Sequence, residues 1–176
     1  ILFSIYSPFI NNKINLTNDF IEVKKKLKHD ATLIEKNLVY LLGTKISERG
    51  GLYLEDELIY LRNVYNYWFK KGKKISYLAK RTSSDKKLKL IEKIGYEVKS
   101  PKYPLEIHLL LSKELPYYIC GFGSSLFSTL PALFPELNYI CTKFPTEKFN
   151  YKQDVIDYND FVDFSKKSKQ IEWIEV

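Results

Sequence analysis

The chain has 176 residues and a mass of 20.8 kDa, enough for one compact domain with a real core. Hydrophobic residues make up 45% of it, which excludes disorder as the organising description. Lys and Arg total 28 against 21 Asp and Glu, a net charge of +7 and a pI near 9.2. That balance favours an anionic partner: a nucleotide, an anionic glycan, nucleic acid or a membrane surface. A lysine-rich surface is also what a chain biased toward Lys, Asn, Ile and Tyr produces on its own.

In chain order, "ILFSIYS" (Ile1–Ser7) reads as a buried strand closed by Pro8. The polar, lysine-rich stretch that follows carries a candidate helix over Asp19–Lys28 with a solvated basic face, and His29 sits there with no partner spaced for a metal site. "LVYLLGTK" (Leu38–Lys45) is an apolar run of strand length, and "ISERGG" after it is a polar loop in which Glu48 has no assigned role. From Leu54 to Phe69 the positions Leu54, Leu58, Leu61, Tyr65 and Trp68 keep the spacing of an amphipathic helix. Glu55, Asp56 and Glu57 suit its N-terminus, and Lys70–Gly72 its end.

Shorter units then alternate. "KISYLAKR" is strand-like, and "TSSDKKLKLIEKIG" is a helix opened by N-cap residues and closed by Gly95. "YEVKS" is a strand, and "PLEIHLLLSKELP" a helix with Pro104 at its first turn. "YYICGFG" is a strand, "SSLFSTLPALFP" a helix and "LNYICTKFP" a strand. "DVIDYNDFVDFSKKS" is a helix before a final "IEWIEV". Such alternation without hairpin signals predicts an α/β, Rossmann-like parallel sheet with helices on both faces, in a single domain over 1–176.

Sheets of this kind bind ligands at the carboxyl ends of their strands, so "AKRTSS", "KSPKYPLE" and "GFGSS" are the stretches that can converge. In the last, Ser124 as an N-cap would aim its hydroxyl and the following N–H groups at one spot. Gly121 and Gly123 would let the backbone come close, and Ser125 adds a second donor. Plain helix capping explains the same residues. Glu106, in the first turn of a predicted helix, could accept from both hydroxyls of a ribose, or could simply favour the helix dipole. Lys80 and Arg81 end a strand where a phosphate or carboxylate could pair with them, or stand as a solvated strand end. His108 reads as a packed or surface histidine. Walker, G-x-S-x-G and zinc-spacing motifs are all missing from the sequence.

Cys120 and Cys141 lie inside apolar runs without a disulfide framework, which predicts buried thiols and a reducing compartment. No apolar run is long enough to span a bilayer, and no signal peptide is visible. The chain opens at Ile1 inside an apolar strand and contains no Met, so it is expected to be a piece of something longer.

The run "KKISYLAKR…SSDKKLKLIEKIGYEVKSPKYPLEIHLL…LPYYICGFGSSLFSTLPALF" resembles the bacterial sialyltransferases, above all the lipooligosaccharide sialyltransferases (glycosyltransferase family 52) and polysialyltransferase-like proteins. The resemblance spans about Leu38 to Pro145. It implies the C-terminal, donor-binding half of a GT-B glycosyltransferase, with the N-terminal half absent, and metal-independent, inverting transfer from CMP-sialic acid or a related CMP-nonulosonate. No cofactor is expected beyond that donor.

By the same resemblance Glu106 holds the CMP ribose, Ser124 and Ser125 hold the phosphate, and a glycan or lipid-linked acceptor of lipooligosaccharide or capsule type receives the sugar. The enzyme would be cytoplasmic, with peripheral contact at the inner face of the membrane. Where the family places a His, this sequence has Lys80. A lysine keeps the positive charge but is a poorer proton donor at neutral pH. The family's acidic general base lies in the missing half and has no counterpart here. The alternatives are a non-catalytic nucleotide- or glycan-binding relative and, resting on charge alone, a nucleic-acid binder. No recognition motif supports the last, so no nucleic-acid partner is expected. Homo-oligomerisation stays open.

Overall fold

The computed structural model describes residues 2–4, 15–17, 22 and 33–176. The candidate helix over Asp19–Lys28, and His29, lie outside the described residues apart from Glu22, which is helical. Near the start, β1 (Leu2–Ser4) and β2 (Asn15–Thr17) pair in parallel as a sheet of their own.

The remainder is a six-stranded, all-parallel sheet in the order β5-β4-β3-β6-β7-β8. Its strands are β3 (Leu33–Leu42), β4 (Lys74–Leu78), β5 (Glu97–Lys99), β6 (Glu114–Gly121), β7 (Asn138–Thr142) and β8 (Ile171–Ile174). Between them run α1 (Leu54–Lys70), α2 (Asp85–Ile94), α3 (Leu105–Leu110), α4 (Leu126–Leu133) and α5 (Lys152–Lys166). The chain winds outward from β3 to one edge, returns to β6 beside β3, and winds to the other edge. This is the doubly wound α/β arrangement, Rossmann-like as the alternation predicts.

Two cores explain why β3 is apolar throughout its second half. Val39 and Leu41 face one core with Leu61, Val64 and Trp68 of α1 and Ile91 of α2. Leu38, Tyr40 and Leu42 face the other with Leu105 and Leu109 of α3 and Phe127 and Leu130 of α4. A strand covered on both faces needs apolar residues at every position, which is what "LVYLL" supplies. Cys120 and Cys141 take opposite faces, one in each core, as buried free thiols. Burial pushes the Cys120 thiol up to about 12, and the Cys141 thiol is raised by burial and then by Cys120. Neither is a thiolate at neutral pH.

Several element boundaries differ from the sequence expectation, and those around β3 and α3 have a clear cause. "PLEIHLLLSKELP" is helical only to Leu110, where the Ser112 hydroxyl donates to the His108 carbonyl at 2.7 Å. The rest turns into β6, drawn into the sheet by pairing of Leu33–Glu35 with Glu114–Pro116. Pro116 has no N–H to give a ladder, and the pairing shifts register between Glu35 and Val39 beyond it. The first strand of the large sheet likewise begins at Leu33, earlier than the apolar run, and stops at Leu42, so that Gly43 opens the loop.

α4 contains Pro131, which removes a backbone donor from a helix of 8 residues. Buried Tyr139 of β7 braces the end of this helix, its hydroxyl donating toward the carbonyls of Leu130 at 2.8 Å and Phe134 at 2.7 Å, which also accept from the Phe134 and Leu137 N–H groups. Tyr139→Phe is therefore expected to lower stability by about 1 kcal/mol in denaturant unfolding, because the hydrogen bond of a buried hydroxyl is lost. A change under a few tenths would contradict this role.

Candidate functional site

The order of the sheet puts a reversal of winding between β3 and β6, and ligands of such sheets sit in the crevice there. Two adjoining cavities occupy that place. One, of about 220 Å³, is lined by Lys80, Arg81, Pro101, Tyr103, Glu106 and Ser125 among others. The second, of about 250 Å³, is lined by Gly43, Thr44, Lys45, Arg49, Lys80, Gly123, Ser124 and Ser125. Gly43, Lys80 and Ser125 belong to both and form their common wall.

The residues singled out from sequence thus meet, with one exception. Lys80 and Arg81 are exposed at the end of β4, and Glu106 is half-buried in the first turn of α3, where its Oε1 accepts from Thr129 Oγ1 at 3.2 Å. Gly123 is exposed with φ +149, a backbone conformation that side chains disfavour, and it lets the chain turn from β6 toward α4. Gly121 lines neither cavity. It ends β6 behind the wall, where a Cβ would lie 3.1 Å from the Phe127 ring.

The serines divide their labour differently from the expectation. The cap position of α4 belongs to Ser125, whose hydroxyl makes no cap bond, and the Ser124 hydroxyl accepts from Leu126 N–H at 3.3 Å. Ser124 is 9% exposed and Ser125 is open to solvent. The inner hydroxyl fixes the turn while the outer one stays open to solvent at the cavity wall. His108 is half-buried and lines neither cavity. Burial, and then Lys99, hold its imidazole below the usual range, so it is neutral at neutral pH.

The β3–α1 loop is what sequence reasoning passed over. The sequence places Gly43–Lys45 at the end of a strand-length run and "ISERGG" in a polar loop, yet Gly43, Thr44, Lys45, Ile46 and Arg49 line the second cavity. The available signal was positional: this is the turn after a central strand, beside the strand that carries the serines. Gly43 is required there because a Cβ would lie 2.4 Å from the Leu78 carbonyl oxygen and 2.9 Å from the Tyr77 ring.

Beneath the loop sits a buried ionic network. The Lys87 ammonium, in the first turn of α2, donates to the Thr44 carbonyl at 2.8 Å and to Glu57 Oε1 at 2.8 Å, and lies 3.5 Å from Glu48 Oε2. Lys87 and Glu57 are each 1% exposed. Glu57 also accepts from the Thr44 hydroxyl at 2.8 Å, so Thr44 is held by both of its polar groups. Glu48 reaches across to accept from the Ser84 N–H at 2.5 Å, tying the same loop to the N-cap of α2. Burial, and then the charge of Glu57, hold the Tyr77 phenol above its usual range. Glu57, read from sequence as a capping carboxylate, is the buried counter-charge of this cluster.

A second set of ties comes from the far end of the chain. Arg49 pairs with Asp154 of α5, the Asn150 N–H donates to the Gly51 carbonyl at 3.0 Å, and the Asn150 side chain donates to the Gly50 carbonyl at 2.9 Å. The loop is therefore clamped from below and from one side, which pre-organises its cavity wall.

Among the described residues no group of His, Cys, Asp and Glu is placed to hold a metal ion, and no helix is long and apolar enough to cross a membrane. No family model matches the chain, and no curated protein matches it either.

Removing Lys87 would leave the Glu57 carboxylate buried without its counter-charge. Lys87→Ala is expected to cost about 3–5 kcal/mol in denaturant unfolding, and the double change Glu57→Leu with Lys87→Met distinctly less than the two singles added together. A loss below 1 kcal/mol for Lys87→Ala, or strict additivity, would show that the pair does not act as a unit.

Proposed function

We propose that this chain is the donor-binding part of a sialyltransferase-like, CMP-sugar-dependent inverting glycosyltransferase. The observation that carries the reading is convergence. Three stretches far apart in sequence, ending β4, opening α3 and opening α4, bring Lys80, Arg81, Glu106 and Ser125 to one cavity at the reversal of the sheet. These are the stretches in which the resemblance to the sialyltransferases resides.

The chemistry of the two cavities is compatible with a cytidine nucleotide. Glu106 can accept from both ribose hydroxyls, Tyr103 and Pro101 give a flat apolar wall for a base, and Ser125 with Lys80 meets the phosphate at the common wall. An acceptor hydroxyl would attack the anomeric carbon and the nucleotide would leave with its phosphate. Lys80 and Arg81 would stabilise the charge that develops on that leaving oxygen, and this is the ground for proposing transfer without a metal. The general base belongs outside these residues. The acceptor is proposed to be a surface glycan or its lipid-linked precursor, met at a membrane face by a basic protein.

A second reading has one observation in its favour. Lys80 stands where the resembling enzymes carry a His, and a lysine supplies charge but donates a proton less readily at neutral pH. A non-catalytic nucleotide- or glycan-binding relative would need only the charge. Release of CMP from CMP-sialic acid in the presence of a galactoside acceptor by the full-length protein separates the two.

For the binding claim, CMP should raise the melting temperature where UMP and AMP do not, and Ser124→Ala with Ser125→Ala should remove the shift. Glu106→Gln should weaken CMP about tenfold or more, since bonds to a charged acceptor are lost. It should leave 2′,3′-dideoxycytidine monophosphate nearly unaffected. Equal loss for both nucleotides would take Glu106 off the ribose, and no shift with CMP or a CMP-sugar would remove the donor assignment.

A further inference from the structure

The two cavities differ in charge balance. The first sets the Glu106 carboxylate, which can accept from hydroxyl donors, beside Lys80 and Arg81. The second is lined by Lys45, Arg49 and Lys80 with no acidic side chain among its lining residues. Arg49 is balanced in part by Asp154. Lys45 donates to the neutral Thr82 hydroxyl at 2.8 Å, and among the described residues no carboxylate pairs with Lys45 or Lys80.

Two uncompensated ammonium groups on one concave wall repel each other, and an entering anion relieves that repulsion. The phosphodiester of a nucleotide sugar carries a single negative charge, and Lys80 at the common wall with Ser125 is placed to meet it. Lys45 and Arg49 lie beyond, on the β3–α1 loop, and are left over. Arg49 is 59% exposed and spends only part of its donor fork on Asp154, so a planar or tetrahedral anion can still take two of its N–H groups. The network under Thr44 and the ties at Gly50 and Gly51 hold this loop in place before any ligand arrives.

We propose that Lys45 and Arg49 form a second anion subsite, which takes a negatively charged group adjacent to the nucleotide phosphate. The ligand then carries two adjacent anions: either a sugar carboxylate on the carbon that bears the phosphate ester, or a second phosphate. This rests on the reading of the common wall as the nucleotide-phosphate site, and it makes Lys45 and Arg49 the residues that select a charged sugar or diphosphate over a neutral sugar.

Titration calorimetry at low salt tests the subsite with inorganic phosphate, pyrophosphate, CMP, CDP and a hydrolysis-resistant C3-fluorinated CMP-sialic acid. Pyrophosphate should bind about tenfold tighter than phosphate, and one of the two cytidine compounds that carry a second anionic group should exceed CMP by a similar factor. Which compound gains identifies the source of the second charge. Lys45→Gln, at a side chain whose only partner among the described residues is the Thr82 hydroxyl, should bring these ratios close to one, and adding Arg49→Gln should complete the loss. Ratios near one in the native protein, or ratios unchanged in Lys45→Gln, overturn the subsite. If CMP fails to bind while the pyrophosphate preference persists and depends on Lys45, the subsite stands and the nucleotide assignment falls.

Discussion

One buried ammonium organises the functional end of this molecule. Lys87 gives its protons to the Thr44 carbonyl and to Glu57, with Glu48 close by, and in doing so joins the loop after β3 to the first turns of α1 and α2. Both helix N-termini and the loop lie at the carboxyl edge of the sheet. A charge taken out of water must be paired and hydrogen-bonded, so this contact admits few alternative loop conformations. Gly43 reaches its position against Leu78 and Tyr77 without a side chain to obstruct it, and Lys45 and Arg49 follow from there onto the cavity wall.

The sheet supplies the other half of the arrangement. Because β3 and β6 are neighbours and the winding reverses between them, the loops that leave them face one crevice. The β4 end and the start of α3 border the same crevice, which brings Lys80, Arg81 and Glu106 within reach of the serines at the start of α4. Function on such a scaffold lives in those few side chains, and the proposed CMP-sugar chemistry stands or falls with them rather than with the fold.

Much of this was readable in the chain, for physical reasons that differ by element. α1 was legible because Leu54, Leu58, Leu61, Tyr65 and Trp68 keep a helical period along most of its length, and α2 because Ser84 and Gly95 mark its two ends. The central strands were legible because burial on both faces demands unbroken apolar runs. α3 was overextended because "LLLSKELP" has no breaker strong enough to show that Leu33–Glu35 would recruit Glu114–Pro116 into the sheet, which is a long-range effect. In the site, strand ends and Gly-Ser turns are local signals, so Lys80, Arg81, Glu106, Gly123 and Ser125 could be singled out in advance. The Glu57–Lys87 pair and the Lys45–Arg49 wall could not, because each depends on residues far apart in sequence meeting across the fold.

The most direct measurement is a crystal structure of the protein with CMP. The account predicts the phosphate against Ser125 and Lys80 at the wall common to both cavities, and both ribose hydroxyls on Glu106. CMP bound elsewhere, or bound here with its ribose turned away from Glu106, would contradict it.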